Sequence, residues 1–189
     1  MTRAPAAELR TFTTLDSVRS DFLDVYADVR APLLHLPNYA VTAFGERLER
    51  HSTEPGFTAV LAYVEGHPVG YAYANSIEHG DRYWQRTTPP PAGKYTERPA
   101  VALKELGVRT AWRKTGTSRR IHDALLADRN EPYVTLMVNP AAGDGKVHAL
   151  YESWGYEDIG RSQPSPASPV LTVMIRAARR PAPTPRKLV

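Results

Sequence analysis

Hydrophobic residues recur along this chain with two different spacings, which separate helices from strands. Two segments repeat apolar residues every three or four positions, one from Leu15 and one from Val41. That spacing is typical of a helix buried on one side. Thr14 and Asn38 precede these segments and are suitable N-cap residues, and Pro32 should end the first helix.

Apolar runs of strand length lie between the helical segments. FTAVLAYV at 57–64 and VGYAYAN at 69–75 flank a turn, and aromatic and small residues alternate in the second run, so we predict a hairpin. The remaining predicted strands are residues 8–13, 101–108, 134–138, 156–159 and 170–175, and the remaining helices are one from residue 117 and one over 147–154. This order predicts a mixed α/β (α+β) domain with one central sheet.

Three segments fall outside the regular pattern. Residues 1–7 are predicted to be a flexible leader and residues 177–189 a disordered basic, proline-rich tail, which leaves 8–176 as a single domain. Residues 76–99 are predicted to be a long loop on the substrate side, since such loops in compact domains are usually functional or disordered. Three aromatic residues of this loop either cover an acceptor or anchor the loop: Tyr83, Trp84 and Tyr95.

Composition narrows the function classes. The chain has 189 residues, 42% of them hydrophobic, which suffices for a globular core. It contains no cysteine, so disulfides, cysteine-ligated metals and a cysteine nucleophile are excluded. No apolar run reaches the roughly 18 residues of a membrane helix, and the N-terminus lacks the apolar core of a signal peptide. We therefore expect a soluble cytoplasmic protein with no membrane partner.

The net charge of +4 is unevenly distributed. Residues 106–122 hold five Lys or Arg and no acid, and residues 165–189 hold five more and no acid. Without these ten, 14 basic and 20 acidic residues remain, so the rest of the chain is acidic. A broad basic face for a nucleic-acid backbone is not indicated. We expect no nucleic-acid partner, with binding through the basic tail as the weaker alternative.

The segment from 103 to 126 carries the clearest chemical signal. A strand ends at Val108, and five residues later Arg113-Lys114-Thr115-Gly116-Thr117-Ser118 leads into a helix. Unpaired N–H groups and the dipole at a helix N-terminus favour a phosphate-like anion, and Gly116 would let the anion approach the backbone. An ordinary basic surface turn explains these residues equally well. The Walker and dinucleotide-binding glycine motifs are absent.

Two motifs together resemble the acyl-CoA-binding core of the GNAT superfamily of N-acetyltransferases. Val108 followed by Arg113-x-x-Gly116-x-Ser118 matches the family's phosphate-loop pattern, although Lys114 stands where glycine is frequent. The stretch Leu150-Tyr151-Glu152-Ser153-Trp154-Gly155-Tyr156 matches its second signature. The resemblance extends over about residues 8–176. It implies a single mixed sheet of six to seven strands flanked by about four helices.

The resemblance implies acetyl-CoA as co-substrate. Main-chain groups of Leu106 and Val108 would bind its pantetheine arm like an added strand. The pyrophosphate would be held by the loop residues Arg113, Lys114, Thr115, Gly116, Thr117 and Ser118. The asparagine that the family often carries before the tyrosine motif is Asp144 here, so either Asn139 supplies that contact or the contact is absent.

The resemblance also implies direct acetyl transfer to a primary amine of a small molecule or a peptide, without a covalent enzyme intermediate. Tyr151 is the candidate general acid, because a phenol can protonate a leaving thiolate; packing on its helix is the alternative. Glu105 is the candidate general base; alternatively it is a solvated charge or binds a substrate cation. Strand alternation predicts that Leu103, Glu105 and Gly107 share one face. The acidic remainder of the chain suits a cationic amine.

Several alternatives stay open at this point. The six histidines show no metal-ligand spacing, so we expect no metal, and we expect His122 and His148 on solvated helix faces. The alternative to an enzyme is a non-catalytic acyl-CoA-binding or regulatory domain with the same fold. We also allow for a homodimer.

Overall fold

The computed structural model describes residues 6–178, and these contain seven strands and six α-helices. The strands are β1 Glu8–Phe12, β2 Thr58–Val64, β3 His67–Ile77, β4 Ala100–Val108, β5 Tyr133–Val138, β6 Glu157–Ser162 and β7 Leu171–Ala177. The helices are α1 Arg19–Val29, α2 Val41–Ser52, α3 Arg82–Gln85, α4 Gly93–Thr96, α5 Thr117–Leu126 and α6 Lys146–Ser153. Most of the predicted leader (1–5) and of the predicted tail (179–189) lies outside the described residues.

The strands form one mixed sheet in the order β1-β2-β3-β4-β5-β7-β6. β4 and β5 run parallel, and every other neighbouring pair is antiparallel. The predicted fold, a single mixed sheet of six to seven strands, is confirmed. The described residues hold six α-helices rather than about four, because two helices of four residues each form inside the predicted 76–99 loop.

Each face of the sheet is covered by long helices. On one face Ile121 and Leu125 of α5 pack against small and branched residues of β2 to β5. On the other face the aromatic side chains of α1 and α2 pack against Tyr71 and Tyr73 of β3. A Cβ at Gly70 would lie 2.9 Å from Cδ1 of Ile121, so glycine at this site lets α5 approach the sheet closely.

The first two helices begin later than their sequence pattern predicts. α1 begins at Arg19 rather than near Leu15, and α2 begins after Ala40. Asn38 is therefore not an N-cap. It lies in the 3-10 turn Pro37–Tyr39, and its side-chain amide donates to the carbonyl oxygen of Ala167 at 2.7 Å. The Asn38 side chain, which was expected to cap a helix, therefore makes a long-range contact that no local pattern predicts.

The aromatic residues of the 76–99 segment anchor it to the core. Trp84 is buried in a cluster with Ala100 and Ala102. The hydroxyl of Tyr83 forms a hydrogen bond of 3.1 Å with the hydroxyl of Thr135 on β5. The aromatic side chains of this segment therefore anchor it, which is one of the two alternatives that the sequence left open.

A β-bulge at Lys104 interrupts the alternation predicted for β4. Leu103 pairs with Ala74 and Glu105 pairs with Tyr73, which leaves Lys104 as an extra residue on β4. Leu103 consequently packs in the core under α5, whereas Glu105 lies on the opposite face and contacts Arg30 beyond the end of α1. The prediction that Leu103 and Glu105 share a face is wrong, because the bulge shifts the register by one residue.

Candidate functional site

The two parallel strands at the centre of the sheet separate halfway along β4. β4 and β5 pair only over residues 101–103 and 134–136, while β5 stays paired with β7 as far as Val138. Residues 104–108 of β4 therefore have no neighbouring strand on the β5 side. This leaves a gap in the sheet toward the carboxyl ends of β4 and β5, which we call the central gap.

Main-chain groups of β4 face the central gap. The N–H of Arg109 donates to the carbonyl oxygen of Val69 at 2.9 Å, so the main-chain N–H of Arg109 points toward β3. Successive residues of an antiparallel strand point their main-chain groups to alternate sides. Val108 and Leu106 therefore direct their N–H and C=O groups into the gap. The two residues that the sequence nominated for main-chain binding lie at the free edge of a strand.

The loop from Arg113 to Ser118 contains two residues with left-handed backbone. Lys114 has φ 61° and Gly116 has φ 85°. A side chain would be strained at both sites, by about 1 kcal/mol at Lys114. No other atom lies within 4 Å of where a Cβ on Gly116 would stand, so the loop is open to solvent there. The hydroxyl of Thr115 is bonded to the carbonyl oxygen of Trp112 (2.7 Å) and to the hydroxyl of Thr117 (2.8 Å), which holds the loop in place.

The N-terminus of α5 follows this loop directly. α5 begins at Thr117 and has no side-chain cap. The N–H groups of its first turn, which include those of Thr117 and Ser118, consequently remain available, and the helix dipole makes this end positive. Free N–H groups beside an exposed glycine can bind a phosphate-like anion.

The side chain of Arg113 connects the loop to the central gap. Its Nε donates to the carbonyl oxygen of Val108 at 3.2 Å. Asn139, at the end of β5, is bound locally instead. Its side-chain oxygen accepts from the N–H of Ala141 at 3.0 Å, so only its NH2 group is left for another partner.

Tyr151 projects from α6 into the core cluster that also contains Val108 and Val138. It is 9% exposed, and its ring packs edge-on against those of Trp154 and Tyr156. Burial raises the pKa of Tyr151 well above its usual value, and Tyr156 and Glu105 raise it further. Its hydroxyl makes no hydrogen bond to any residue from 6 to 178. Tyr151 is therefore protonated at neutral pH, with a proton that the described residues do not engage.

Glu105 forms an ion pair with Arg30, the residue that ends α1. Nη2 of Arg30 lies 3.2 Å from Oε2 of Glu105, and the two side chains are 30% and 18% exposed. The Glu105 carboxylate raises the pKa of the Arg30 guanidinium. Tyr71 and Tyr73 lie beneath this pair on the same face of the sheet. The carboxylate is thus partly buried and already has one cationic partner.

Sequence reasoning missed two residues that shape this region. Arg30 lies 75 residues from Glu105 along the chain, and no local pattern marks it. His122 was expected on a solvated face, but it is fully buried and its Nε2 is hydrogen-bonded to the hydroxyl of Tyr156 at 2.8 Å. That expectation was wrong. Its helical spacing with Leu125 and Leu126 was a usable signal for burial. His148 is partly buried and bonded to Asp158 at 2.8 Å.

The other features of residues 6–178 do not extend this site. A cavity of about 480 Å³ lies at the opposite end of β4, between Ser76, Arg98 and the 128–132 loop. Within the described range no three His, Asp or Glu side chains are grouped to hold a metal ion. None of the helices in this range combines the length and apolar character needed to cross a bilayer.

Comparison with known proteins finds similarity in structure and not in sequence. No family model and no curated protein sequence matches this chain. A GNAT-family acetyltransferase from Streptococcus agalactiae superposes with a TM-score of 0.66 at 9% identity, over 94% of this chain and 100% of the other. An aminoglycoside 6'-acetyltransferase of type Ii gives 0.62 at 18% identity, over 93% and 99%. Ard1 from Thermoplasma volcanium gives 0.61 at 19% identity, over 93% and 100%. At these low identities, the superpositions establish a shared fold.

Proposed function

We propose that this chain, which has the GNAT acetyltransferase fold, is an N-acetyltransferase that moves an acetyl group from acetyl-CoA to a primary amine of a small acceptor. The observation that carries the proposal is the central gap. The strand edge of Leu106 and Val108 borders it on one side, and the Arg113–Val108 hydrogen bond ties to it the loop that leads into the uncapped N-terminus of α5. The neighbours' described activities support the acetyl group as the cargo.

The residues around the gap fit a pyrophosphate joined to an extended arm. Available N–H groups from Lys114 to Ser118 suit the pyrophosphate, and Arg113 and Lys114 supply positive charge. The main-chain N–H and C=O of Leu106 and the N–H of Val108 suit the amides of the arm. The N–H of Val108 is also the candidate donor to the carbonyl oxygen on which negative charge develops. Acetyl-CoA would supply the thioester that reacts.

The chemistry that this chain's own residues would supply is proton transfer. As the acceptor nitrogen bonds to the acetyl carbon and the carbon–sulfur bond breaks, the amine loses a proton and the sulfur gains one. Glu105 is the proposed acceptor of the first proton, directly or through water, and Tyr151 the proposed donor of the second. The raised pKa of Tyr151 keeps that proton in place until a thiolate is formed nearby. No covalent enzyme intermediate is involved.

One observation favours a second candidate, a non-catalytic acyl-CoA-binding domain. The Glu105 carboxylate, the proposed proton acceptor, is already ion-paired with the Arg30 guanidinium at 3.2 Å, as a purely structural role would require. Turnover separates the two candidates, because both predict acetyl-CoA binding and only the enzyme releases free CoA thiol with an amine. A cytoplasmic location, the lack of a nucleic-acid partner and a homodimer remain predictions.

Acetyl-CoA binding is tested by thermal unfolding. Millimolar acetyl-CoA should raise the Tm of the full chain, because a ligand that binds only the folded state stabilises it. Arg113→Ala and Gly116→Trp should remove that shift. Gly80→Trp is the matched control, since Gly80 also has a left-handed backbone (φ 81°) and open space around its Cβ site, but it precedes α3. A wild-type Tm that acetyl-CoA leaves unchanged would contradict the cofactor assignment.

Acetyl transfer is tested by following free CoA thiol across a panel of primary amines. The expected result is release that depends on both the amine and the protein. Tight acetyl-CoA binding without thiol release from any amine would favour the non-catalytic domain.

A further inference from the structure

The Arg30–Glu105 pair presents opposite charges side by side on the face of the sheet that α1 and α2 cover. Both side chains are partly exposed, at 30% and 18%, and their charged atoms are 3.2 Å apart. A pair of this kind matches a ligand that carries the opposite charges in the same spacing. An amino acid is such a ligand, because its ammonium and carboxylate groups are separated by one or two carbon atoms.

Arg30 has hydrogen-bonding capacity that the described residues do not use. A guanidinium carries five N–H donors. Within residues 6–178 its hydrogen bond goes from Nη2 to Glu105, and its Nε is buried without a partner. The ring of Tyr39 lies 5.9 Å from the guanidinium carbon. A second acidic group beside Glu105 would therefore meet the remaining Nη N–H donors, which the ion pair with Glu105 already orients.

The charges around Glu105 disfavour a purely cationic acceptor. Arg47 of α2 donates to the carbonyl oxygen of Asn38 at 2.9 Å. Its side chain therefore reaches the connection between α1 and α2, where Arg30 lies. Lys104 precedes Glu105 on β4 and pairs with Glu54 at 3.6 Å. An ammonium ion approaching Glu105 would therefore have to share this carboxylate with the Arg30 guanidinium, which lies 3.2 Å away.

We propose that the acceptor is an amino acid, with its amino group at Glu105 and its carboxylate bound by Arg30. This inference rests on the proposed acetyltransferase function and names the substrate class of the same site. The competing explanation is that the pair only ties the end of α1 to β4. A structural tie predicts equal effects on every acceptor, whereas recognition predicts effects that depend on the acceptor's carboxylate.

The experiment compares each amino acid with the amine formed by removing its carboxylate. The wild type should show higher kcat/KM for the amino acid. Arg30→Ala should lower kcat/KM for the amino acid by about 10- to 100-fold, the value of a hydrogen-bonded charge contact. The loss for the matching amine should be clearly smaller, since the amine has no carboxylate for Arg30 to bind. Because each variant is compared with wild type on the same acceptor, differences in amine basicity cancel.

Arg30→Lys keeps the charge and should recover part of the loss for the amino acid. Arg19→Ala is the matched control, since Arg19 forms an exposed ion pair with Glu49 at the other end of α1. Its kcat/KM should equal the wild-type value for both acceptors. Equal losses for both acceptors in Arg30→Ala, or no preference in the wild type, would overturn this inference alone. No transfer to any amine would overturn the proposed enzyme function as well.

Discussion

Nε2 of His122 lies 2.8 Å from the hydroxyl oxygen of Tyr156, and both side chains are buried. The His122 ring also packs against Trp154, with ring centres 4.8 Å apart. His122 belongs to α5, which begins at the proposed phosphate loop, and Tyr156 closes the motif that contains Tyr151. The two motif segments are therefore joined inside the core by a titratable residue.

His122→Gln should make the free energy of unfolding less sensitive to acid. Burial lowers the pKa of His122 to about 4, while an unfolded histidine titrates near ~6.5. The unfolded chain binds the proton first, so stability is lost as the pH falls from about 6.5 toward 4. Between pH 6.5 and 5 the loss due to His122 is about 2 kcal/mol. Urea denaturation at several pH values measures it.

Variants of two further histidines serve as comparisons for this measurement. Burial also lowers the pKa of His51, to about 3, so His51→Gln should reduce the acid sensitivity in the same direction. His67 is exposed at the start of β3, so His67→Gln is the matched control for a histidine-to-glutamine change at the surface. An unchanged pH dependence in His122→Gln would mean that His122 does not stay neutral in the folded protein.

Tyr151→Phe should lower kcat by about 10²- to 10⁴-fold, the usual contribution of a general acid. Acetyl-CoA binding should be nearly unchanged, because the ring and its packing against Trp154 and Tyr156 are kept. Steady-state kinetics and a binding titration with acetyl-CoA provide the two values. Equal kcat in the variant and the wild type would remove Tyr151 from the proposed mechanism.

Lys114→Gly should stabilise the fold by up to about 1 kcal/mol, since it relieves a left-handed backbone with φ 61°. The same change should weaken acetyl-CoA binding, because it removes a positive charge from the phosphate loop. Lys114→Ala separates the two effects, as it removes the charge and keeps the strain. Denaturation and acetyl-CoA titration of both variants provide the comparison; stabilisation by alanine to the same extent would contradict the strain.

Gly70→Ala should destabilise the fold by about 1–3 kcal/mol, as is usual for overpacking a core. The added Cβ would lie 2.9 Å from Cδ1 of Ile121 and 3.1 Å from the carbonyl oxygen of Gly107. Ile121→Val removes the first of these contacts and should recover part of the loss in the double variant. Thermal or urea denaturation of the four proteins measures the coupling; additive losses would rule out direct contact as the cause.

Local sequence patterns were sufficient for most of the elements. The β2–β3 hairpin follows from period-two alternation, and α5 follows from the small-residue turn that ends at Thr117. Both patterns reflect interactions between residues close in the chain. The N-cap assigned to Asn38 failed because its amide reaches Ala167 instead of its own helix.

The candidate site also contains one part that local sequence predicts and another that it does not. The phosphate loop could be predicted because a glycine, its neighbours and a helix start are consecutive residues. The ion pair of Glu105 could not, because Arg30 meets it only after α1 packs on the sheet. The bulge at Lys104 could not either, since it depends on the register between β3 and β4.

The sequence by itself determined the order of the strands and of the four longer helices, and the two motif segments, because these depend on side-chain periodicity and on turn residues. Only the tertiary structure decided which face Glu105 occupies and that Arg30 pairs with it. These outcomes depend on strand register and long-range packing, whose energies involve residues far apart in the chain. Local sequence therefore sets the motifs and the chemistry expected from them. Tertiary packing sets the charges that surround those residues.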